Sequence, residues 1–486
     1  MIPQFNGSAW PRASLVLSIS LIGLALVGCS LAPVYERPAV TLPTTLGGEE
    51  LPTSSSAQAQ APVELTAPER AFLASFAPDR DLASLVVQAL THNADHRLAL
   101  AQVEQARAQY RISRADQLPA ISAGAALTRQ AFDNRELNAR YEQRLASVTT
   151  GISDFELDFF GRMKSLSDAA RARYLASTYG EQTARGALIA EVLRAYTLER
   201  TAAAALARAQ SISTETSALL HVAALQRQTG LASQDDLDRQ QAQADQADVA
   251  ARQAADDHRA TLRALRLLTG RDVVPEGDVR TLAMPQAHVA ALRDIDSQLL
   301  LQRPDIRQAE AVLRAANADI GAARAAFFPS IRLSTSVGTA SDGLAGLFDA
   351  GSGTWAFMPQ LSLPIFDFGR NRANLDLAWT RRQAGVVEYE NAIRRAFREV
   401  ADTLDARATL AQAERLQSEE AARAQRRLQR VAARVDAGLV DRIDLLVERI
   451  RAEQSALARL WAERDLALVR VATFRAFYGV ELQSSL

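Results

Sequence analysis

The sequence predicts a membrane protein of the α+β class, with a small β-barrel portion joined to a much larger portion of very long helices. Three observations predict it. Strand-period alternation gives way abruptly to helix-period patterning at a Gly-Arg dipeptide. That junction occurs twice, as Gly161-Arg162 and Gly369-Arg370, 208 residues apart. The helices after each junction exceed globular lengths, and the strands before it are too few to close a barrel within one chain.

The second junction is the sharper one. From Thr354 the apolar residues Trp355, Phe357, Leu361, Leu363 and Ile365 alternate, the period of a strand with one apolar face. From Asn371 they recur three and four apart, as Val386, Tyr389, Ile393, Phe397, Val400 and Leu404, the period of a helix. Between them stands Asp367-Phe-Gly-Arg370, where glycine supplies the backbone freedom of the turn. The earlier copy reads Glu156-Leu-Asp-Phe-Phe-Gly-Arg162. Pro119 and Pro329 keep nearly the same offset, as do Gly230-Leu231 and Gly438-Leu439, and Gly270 and Gly479. The chain therefore reads as an internal tandem structural repeat, each half running helix, strand, loop, strand, long helix, Gly-Leu turn, long helix.

Taken in order, residues 1–28 read as a signal peptide, with Arg12 before the apolar run Leu15–Val27. The run ends in Leu26-Val-Gly-Cys29, a lipobox pattern, and Cys29 is the only cysteine of the chain. No disulfide is available, and the expected covalent group is lipid on Cys29; no cofactor is expected. Residues 29–80 form an extended, proline-rich, lipid-anchored segment. Ordered structure is expected from about Pro68. The first repeat spans 81–270: a short helix over Asp81–Leu90, a helix from Asp95 with Leu98, Ala101 and Ala108 on one face, and strands over Ile121–Thr128 and Ala146–Phe160. The second strand alternates through Val148, Phe155, Leu157 and Phe159. Ala131–Arg144 reads as a polar loop. Long helices follow over Arg162–Gln228 and Leu231–Leu268. A linker covers 271–288. The second repeat spans 289–480, with helices over Val289–Gln302, Asp305–Ala326, Asn371–Asp436 and Asp441–Tyr478 and strands from Ser330 and Thr354. Residues 481–486 are a tail.

Net charge is −1 and aromatics are 6 % of the chain, which gives no sign of a nucleic-acid partner and suits closely packed small-residue helices. Strands diluted with Gly and Ser fit a transmembrane β-barrel, whose signal per strand is weak. Trp355 and Phe357 are candidates for an aromatic girdle. No nucleophile–base pair stands out. His92 and His96 straddle a helix start and lack a third ligand, and His221, His258 and His288 stand alone, so no metal and no enzyme activity are expected.

The chain resembles the outer-membrane factors, the TolC-like and OprM-like exit ducts of tripartite efflux systems. The resemblance rests on Cys29 followed by Pro33-Val-Tyr-Glu-Arg-Pro38, on Asn93-Ala-Asp95 and Arg303-Pro-Asp305, on Phe328-Pro-Ser-Ile331, on Leu363-Pro-Ile-Phe-Asp-Phe-Gly369 and on the two Gly-Leu turns. It implies a homotrimer in which each subunit gives four strands to one transmembrane β-barrel, continued through the periplasm by an α-helical barrel. It implies the bacterial outer membrane as location, a periplasmic adaptor (membrane fusion) protein and an inner-membrane pump as partners, and small molecules such as drugs as cargo. The junction residues Gly161, Arg162, Gly369 and Arg370 mark where barrel becomes helix. Adaptor contact falls on Gly230, Leu231, Gly438, Leu439 and Val440, and the channel gate on Asp444, with Asp441 one turn before it. The family's next aspartate position is Val447 here, so one ring is lost. Asp235, Asp236 and Asp238 are weaker gate candidates. Metal efflux and protein secretion use similar ducts. The competing reading is a lipid-anchored coiled-coil scaffold of the envelope, which needs long helices but no alternating strands.

Overall fold

The computed structural model describes residues 31–38, 40–41, 53–54, 63–76, 80–141, 143–270 and 296–480. The signal peptide, Cys29, the linker 271–288, the tail 481–486 and the first part of the expected Val289–Gln302 helix lie outside the described residues.

Two short strands, β1 (Val40–Thr41) and β2 (Thr53–Ser54), pair antiparallel. Three helices follow: α1 (Ala67–Phe76), α2 (Arg80–His92) and α3 (Ala94–Ala115). Helix α1 has no counterpart among the elements expected from sequence. Helix α3 begins because the Asn93 side chain accepts from the amides of Asp95 and His96. Leu98, Ala101 and Ala108 share a face that is exposed in the single chain, and His96 is the residue the helix buries.

Strand β3 (Ile121–Gln130) leads through a short helix, α4 (Arg135–Tyr141), into β4 (Gln143–Leu157). Helix α4 replaces part of the expected loop, with Asn134 accepting from the Glu136 and Leu137 amides at its start. Then come α5 (Arg162–Gln228), 67 residues long, and α6 (Gln234–Thr269). Among the described residues the second half begins with a 3₁₀ turn, Ser297–Gln302, over the last part of the helix expected at Val289–Gln302. It continues through α7 (Pro304–Ala325), β5 (Ser330–Ser341), β6 (Gly353–Ser362), α8 (Arg370–Asp436), again 67 residues, and α9 (Arg442–Ala476). At 1.5 Å per residue α5 and α8 each run roughly 100 Å. No helix among the described residues is long and apolar enough to cross a membrane.

The sheet order is β3-β4-β5-β6, antiparallel throughout, so the β4–β5 ladder joins the two halves. Directly opposed residues share a face. On one face lie Ile121 and Leu127 of β3, Val148 and Ile152 of β4, Leu333 and Val337 of β5, and Trp355, Phe357 and Leu361 of β6. The other face is mostly Gly, Ser, Thr and Ala, with Gln130, Gln143, Glu156, Arg332 and Gln360 and only Leu145 and Met358 as large apolar residues. Between Ile152 and Phe155 the register shifts, and Ser153 and Asp154 together oppose Ser334. Asp154 takes φ 57° and donates its amide to Ser334 Oγ at 3.0 Å. The bulge keeps Phe155 and Leu157 on the same face as Ile152, although the residue parity changes. The alternation read from Val148 to Phe159 as continuous is therefore two runs joined out of phase, and Phe159 lies beyond the strand.

The largest apolar cluster sits where α1 and α2 cross α5. Phe76, Leu82, Leu85, Val86 and Leu90 bury against Ile189, Val192 and Leu193. Each such side chain contributes roughly 1.5–3 kcal/mol. Elsewhere the helices meet through alanine and glycine, as at Ala392 and Ala396 of α8. Although α5 and α8 match in length, α5 buries 19 residues and α8 only 6. Helix α5 packs on α2, α3, α6, α7 and α9, whereas α8 packs on α7, α9 and, slightly, the 3₁₀ turn at Ser297–Gln302.

Candidate functional site

At the strand–helix junctions both predicted glycines take left-handed backbone and occupy the N-cap position, Gly161 at φ 72° and Gly369 at φ 84°. A side-chain cap is absent at each, so neighbours replace it. Arg162 closes a bidentate pair with Glu156 across the first junction at 2.7 and 2.6 Å, and the Lys164 amide donates to Asp158 at 2.8 Å. At the second, Asp367 accepts from the amides of Asn371 and Gly369 at 2.9 and 3.0 Å. The Asn371 amide, more than the nearby Arg370 charge, holds that carboxyl below the usual range. Phe160 stacks on Phe328 at 4.7 Å and binds one half to the other. These groups surround a cleft of about 550 Å³ with Glu156, Arg162, Arg332, Asp367 and Arg370 on its walls.

Midway along the helices, polar networks fix α1 and α7. Glu69 of α1 accepts from Arg185 Nε and Nη2 at 2.8 Å each, from Tyr478 Oη at 2.8 Å and from the Thr66 amide at 2.7 Å. Burial alone raises this carboxyl, but the Arg185, Thr66 and Tyr478 hydrogen bonds outweigh it and hold it at about 2. Arg303, ahead of α7, bonds Asp305, Glu399 and the Ala476 carbonyl. None of these links was predicted; a buried Glu–Arg pair 116 residues apart leaves no local pattern. His258, isolated in the sequence, contacts the buried Glu199 at 3.1 Å, and burial keeps the Glu199 carboxyl raised despite that contact. His92 and His96 bond to separate carbonyls, and His96 also to Glu181. Among the described residues no group of three His, Cys, Asp or Glu side chains converges as a metal site.

The far ends of the helix pairs carry the other predicted residues. After α5 the Leu231 amide donates to Gln226 O at 2.7 Å and the Gly230 amide to Arg227 O at 3.2 Å. After α8 the Leu439 amide donates to Arg434 O at 2.8 Å and the Gly438 amide to Val435 O at 2.9 Å. Both turns are Schellman motifs. In that motif the residue after glycine ordinarily packs on the side chain five positions back, here Gln226 and Arg434. Neither is apolar, and Leu231 and Leu439 stay 80 % and 70 % exposed. Val440 follows in the same turn and is half-buried. Asp441 is the N-cap of α9, accepting from the Ile443 amide at 3.4 Å, and Asp444 is exposed on its first turn. Val447 is half-buried on the next turn. After the other turn, Ser233 and Asp236 form a capping box, Asp236 also pairs with Arg239, and Asp238 accepts from Gln234.

A largely apolar face on a four-stranded sheet, charged only at the Arg129–Arg144 pair by the loop, joined to helix pairs of this length, defines a membrane-channel type of protein and not a catalyst. The family model for the outer membrane efflux protein matches residues 85–271 and 296–476. The chain is 39 % identical over 476 residues to outer membrane protein OprJ of Pseudomonas aeruginosa, covering 95 % of each. It is 40 % identical over 402 residues to the toluene efflux pump outer membrane protein TtgF of Pseudomonas putida, covering 81 % of this chain and 82 % of the other. Among solved structures it matches the open state of the Neisseria gonorrhoeae MtrE outer membrane channel, with 33 % identity, a TM-score of 0.72 and coverage of 92 % of this chain and 98 % of that one. The chain belongs to the outer membrane efflux protein family. It is a channel for efflux across the outer membrane.

Proposed function

We propose that three copies of the chain form one twelve-stranded barrel in the outer membrane, continued by an α-helical barrel in the periplasm. Within it the tandem halves act as six similar staves. The duct receives small molecules from an inner-membrane pump through a periplasmic adaptor, and lipid on Cys29 anchors each subunit. The observation that carries this reading is the sheet, with one face apolar up to the Arg129–Arg144 pair at its loop end, one mostly polar face and two open edges. A sheet of that kind crosses lipid only when closed. The bare flank of α8 supports the same assembly.

The two Schellman turns present paired apolar knobs, Leu231 and Leu439, at the end of the helices remote from the sheet; these are the adaptor contacts. Leu439→Asp is expected to abolish efflux in a susceptibility assay while trimers persist. Undiminished efflux would remove the tip from the docking site. Asp444, with Asp441 before it, supplies the ring of carboxylates that gates the channel. The relatives span different cargoes, since OprJ stands beside a toluene efflux protein and the cation efflux system protein CusC of Escherichia coli, 36 % identical over 468 residues. Cargo choice is accordingly assigned to the pump, with drug-like small molecules as the leading class and metal ions or proteins as alternatives.

The test is single-channel recording of the purified protein in a planar bilayer. A small cation-preferring conductance is expected. Well-folded trimers without any conductance, and without a hollow axis by electron microscopy, would favour the lipid-anchored scaffold.

A further inference from the structure

Each of the two longest helices buries one charged residue, at the same level, and the two halves match it differently. In the first half it is Glu199 of α5, 1 % exposed, which meets His258 of α6 at 3.1 Å. The offset of 208 that relates Gly230 to Gly438 carries Glu199 onto Arg407 of α8. Arg407 is 9 % exposed.

Helices α8 and α9 double back on one another at the turn of Gly438 and pack along their length. Arg407 lies 31 residues before that glycine and Arg470 of α9 lies 32 after it, so the pairing brings the two to one level. Arg470 is 3 % exposed. One side of its guanidinium is held: Nη2 donates to the Ser75 carbonyl at the end of α1 at 3.3 Å, and the group lies 4.8 Å from the centre of the Phe76 ring. What α9 sets beside Arg407 is therefore a second cation. Among the described residues no hydrogen bond or ion pair reaches the Arg407 side chain. Arg303, the third buried arginine, differs, since it bonds two carboxylates, Asp305 and Glu399.

Two cations enclosed together are costly, because each has lost water and meets only repulsion from the other. Burial lowers the Arg407 guanidinium, and burial with the Arg407 charge pushes Arg470 down to about 10, which leaves it a cation at neutral pH. An anion between them removes the cost. A guanidinium presents parallel N–H donors that match the paired oxygens of an oxyanion.

We propose that Arg407 and Arg470 bind a small oxyanion of the phosphate class between α8 and α9. The site lies within one chain and does not depend on how many copies assemble. The bound anion ties α8 to α9 and, through the Ser75 carbonyl and the Phe76 ring, to the end of α1. The first half needs no such ligand, because Glu199 already faces a group able to carry the opposite charge.

The test uses the purified full-length protein in detergent, dialysed free of phosphate. Inorganic phosphate replacing chloride at constant ionic strength and neutral pH is expected to raise the thermal midpoint by several degrees, a comparison that holds screening fixed. Equilibrium dialysis with labelled phosphate is expected to show one site per chain. Arg407→Gln removes one donor fork and the repulsion, and is expected to lose both the labelled site and the response of the midpoint. Arg407→Glu copies the first half by setting a carboxylate beside Arg470. It is expected to be as stable without phosphate as the wild-type chain is with it, and equally indifferent to added phosphate. A wild-type midpoint unmoved by phosphate, with no labelled phosphate retained, overturns the site. A phosphate response that persists undiminished in both variants also overturns it, since the anion would then act elsewhere.

Discussion

At Glu69 four hydrogen bonds converge on one buried carboxylate and tie α1 to α5 and to the end of α9. The carboxyl titrates at about 2, below its ordinary 4.5, so its contribution is complete above pH 4.5 and vanishes as the pH falls toward 2. The shift corresponds to roughly 3 kcal/mol. Glu69→Gln keeps the shape but leaves Arg185 buried beside a neutral group. Its thermal midpoint is expected to lie below that of the wild-type chain at pH 7, and the gap to narrow as the pH is lowered from 4.5 to 3. A gap independent of pH would mean that the carboxylate charge is not what holds α1. Tyr478 belongs to the same unit: burial first, then the Glu69 charge, pushes its hydroxyl up, so it remains a donor throughout this range.

At the scale of elements, β4 and β6 perform the same task with different lengths. Between equivalent positions β4 carries one residue more than β6 and absorbs it at Ser153 and Asp154, where Asp154 adopts a positive φ that non-glycine residues seldom take. Deleting Asp154 removes that residue without moving any other side chain to the opposite face. The deletion variant is expected to assemble into detergent-resistant trimers. Deleting Thr149 instead, inside the regular run, throws Ile152 out of phase with Val148 and is expected to abolish trimers on non-denaturing gels. Equal behaviour of the two deletions would refute this account of the bulge. The sequence carried a trace of the feature, since Val148 and Phe155 differ in parity, yet a run diluted by glycine, serine and threonine gives too few apolar residues to expose the break. By contrast the long helices, both Gly-Arg junctions and both Gly-Leu turns were legible, because each rests on local requirements: a sustained 3.6-residue period, or a backbone conformation that glycine supplies. Helix α1, the Glu69 and Arg303 networks and the Glu199–His258 pair were not legible, because they depend on residues brought together from distant parts of the chain.

At the scale of the whole molecule, the proposed trimer makes one subunit incomplete, and the proposed gate belongs to that assembly. A single Asp444 is an exposed carboxylate on the first turn of α9, where the helix dipole favours it. Three of them around a narrow axis focus a negative potential that draws cations and resists anions. Asp441 is differently placed, because its side chain is turned to the α9 amides as a cap, and replacing it disturbs the helix start as well as the charge. Val447 brings no second charged ring to the following turn. The closure is therefore expected to depend on Asp444 more steeply than a doubly ringed gate would. In bilayer recordings Asp444→Ala should enlarge the conductance several-fold and weaken cation preference, with the effect diminishing at high salt as screening shortens the reach of the charges. A conductance unchanged by Asp444→Ala but raised by Asp441→Asn, which retains a capping side chain, would move the constriction one turn toward the tip. Unchanged conductance in both variants would assign closure to the helix ends themselves, at the turns of Gly230 and Gly438 that the proposed trimer brings around its axis.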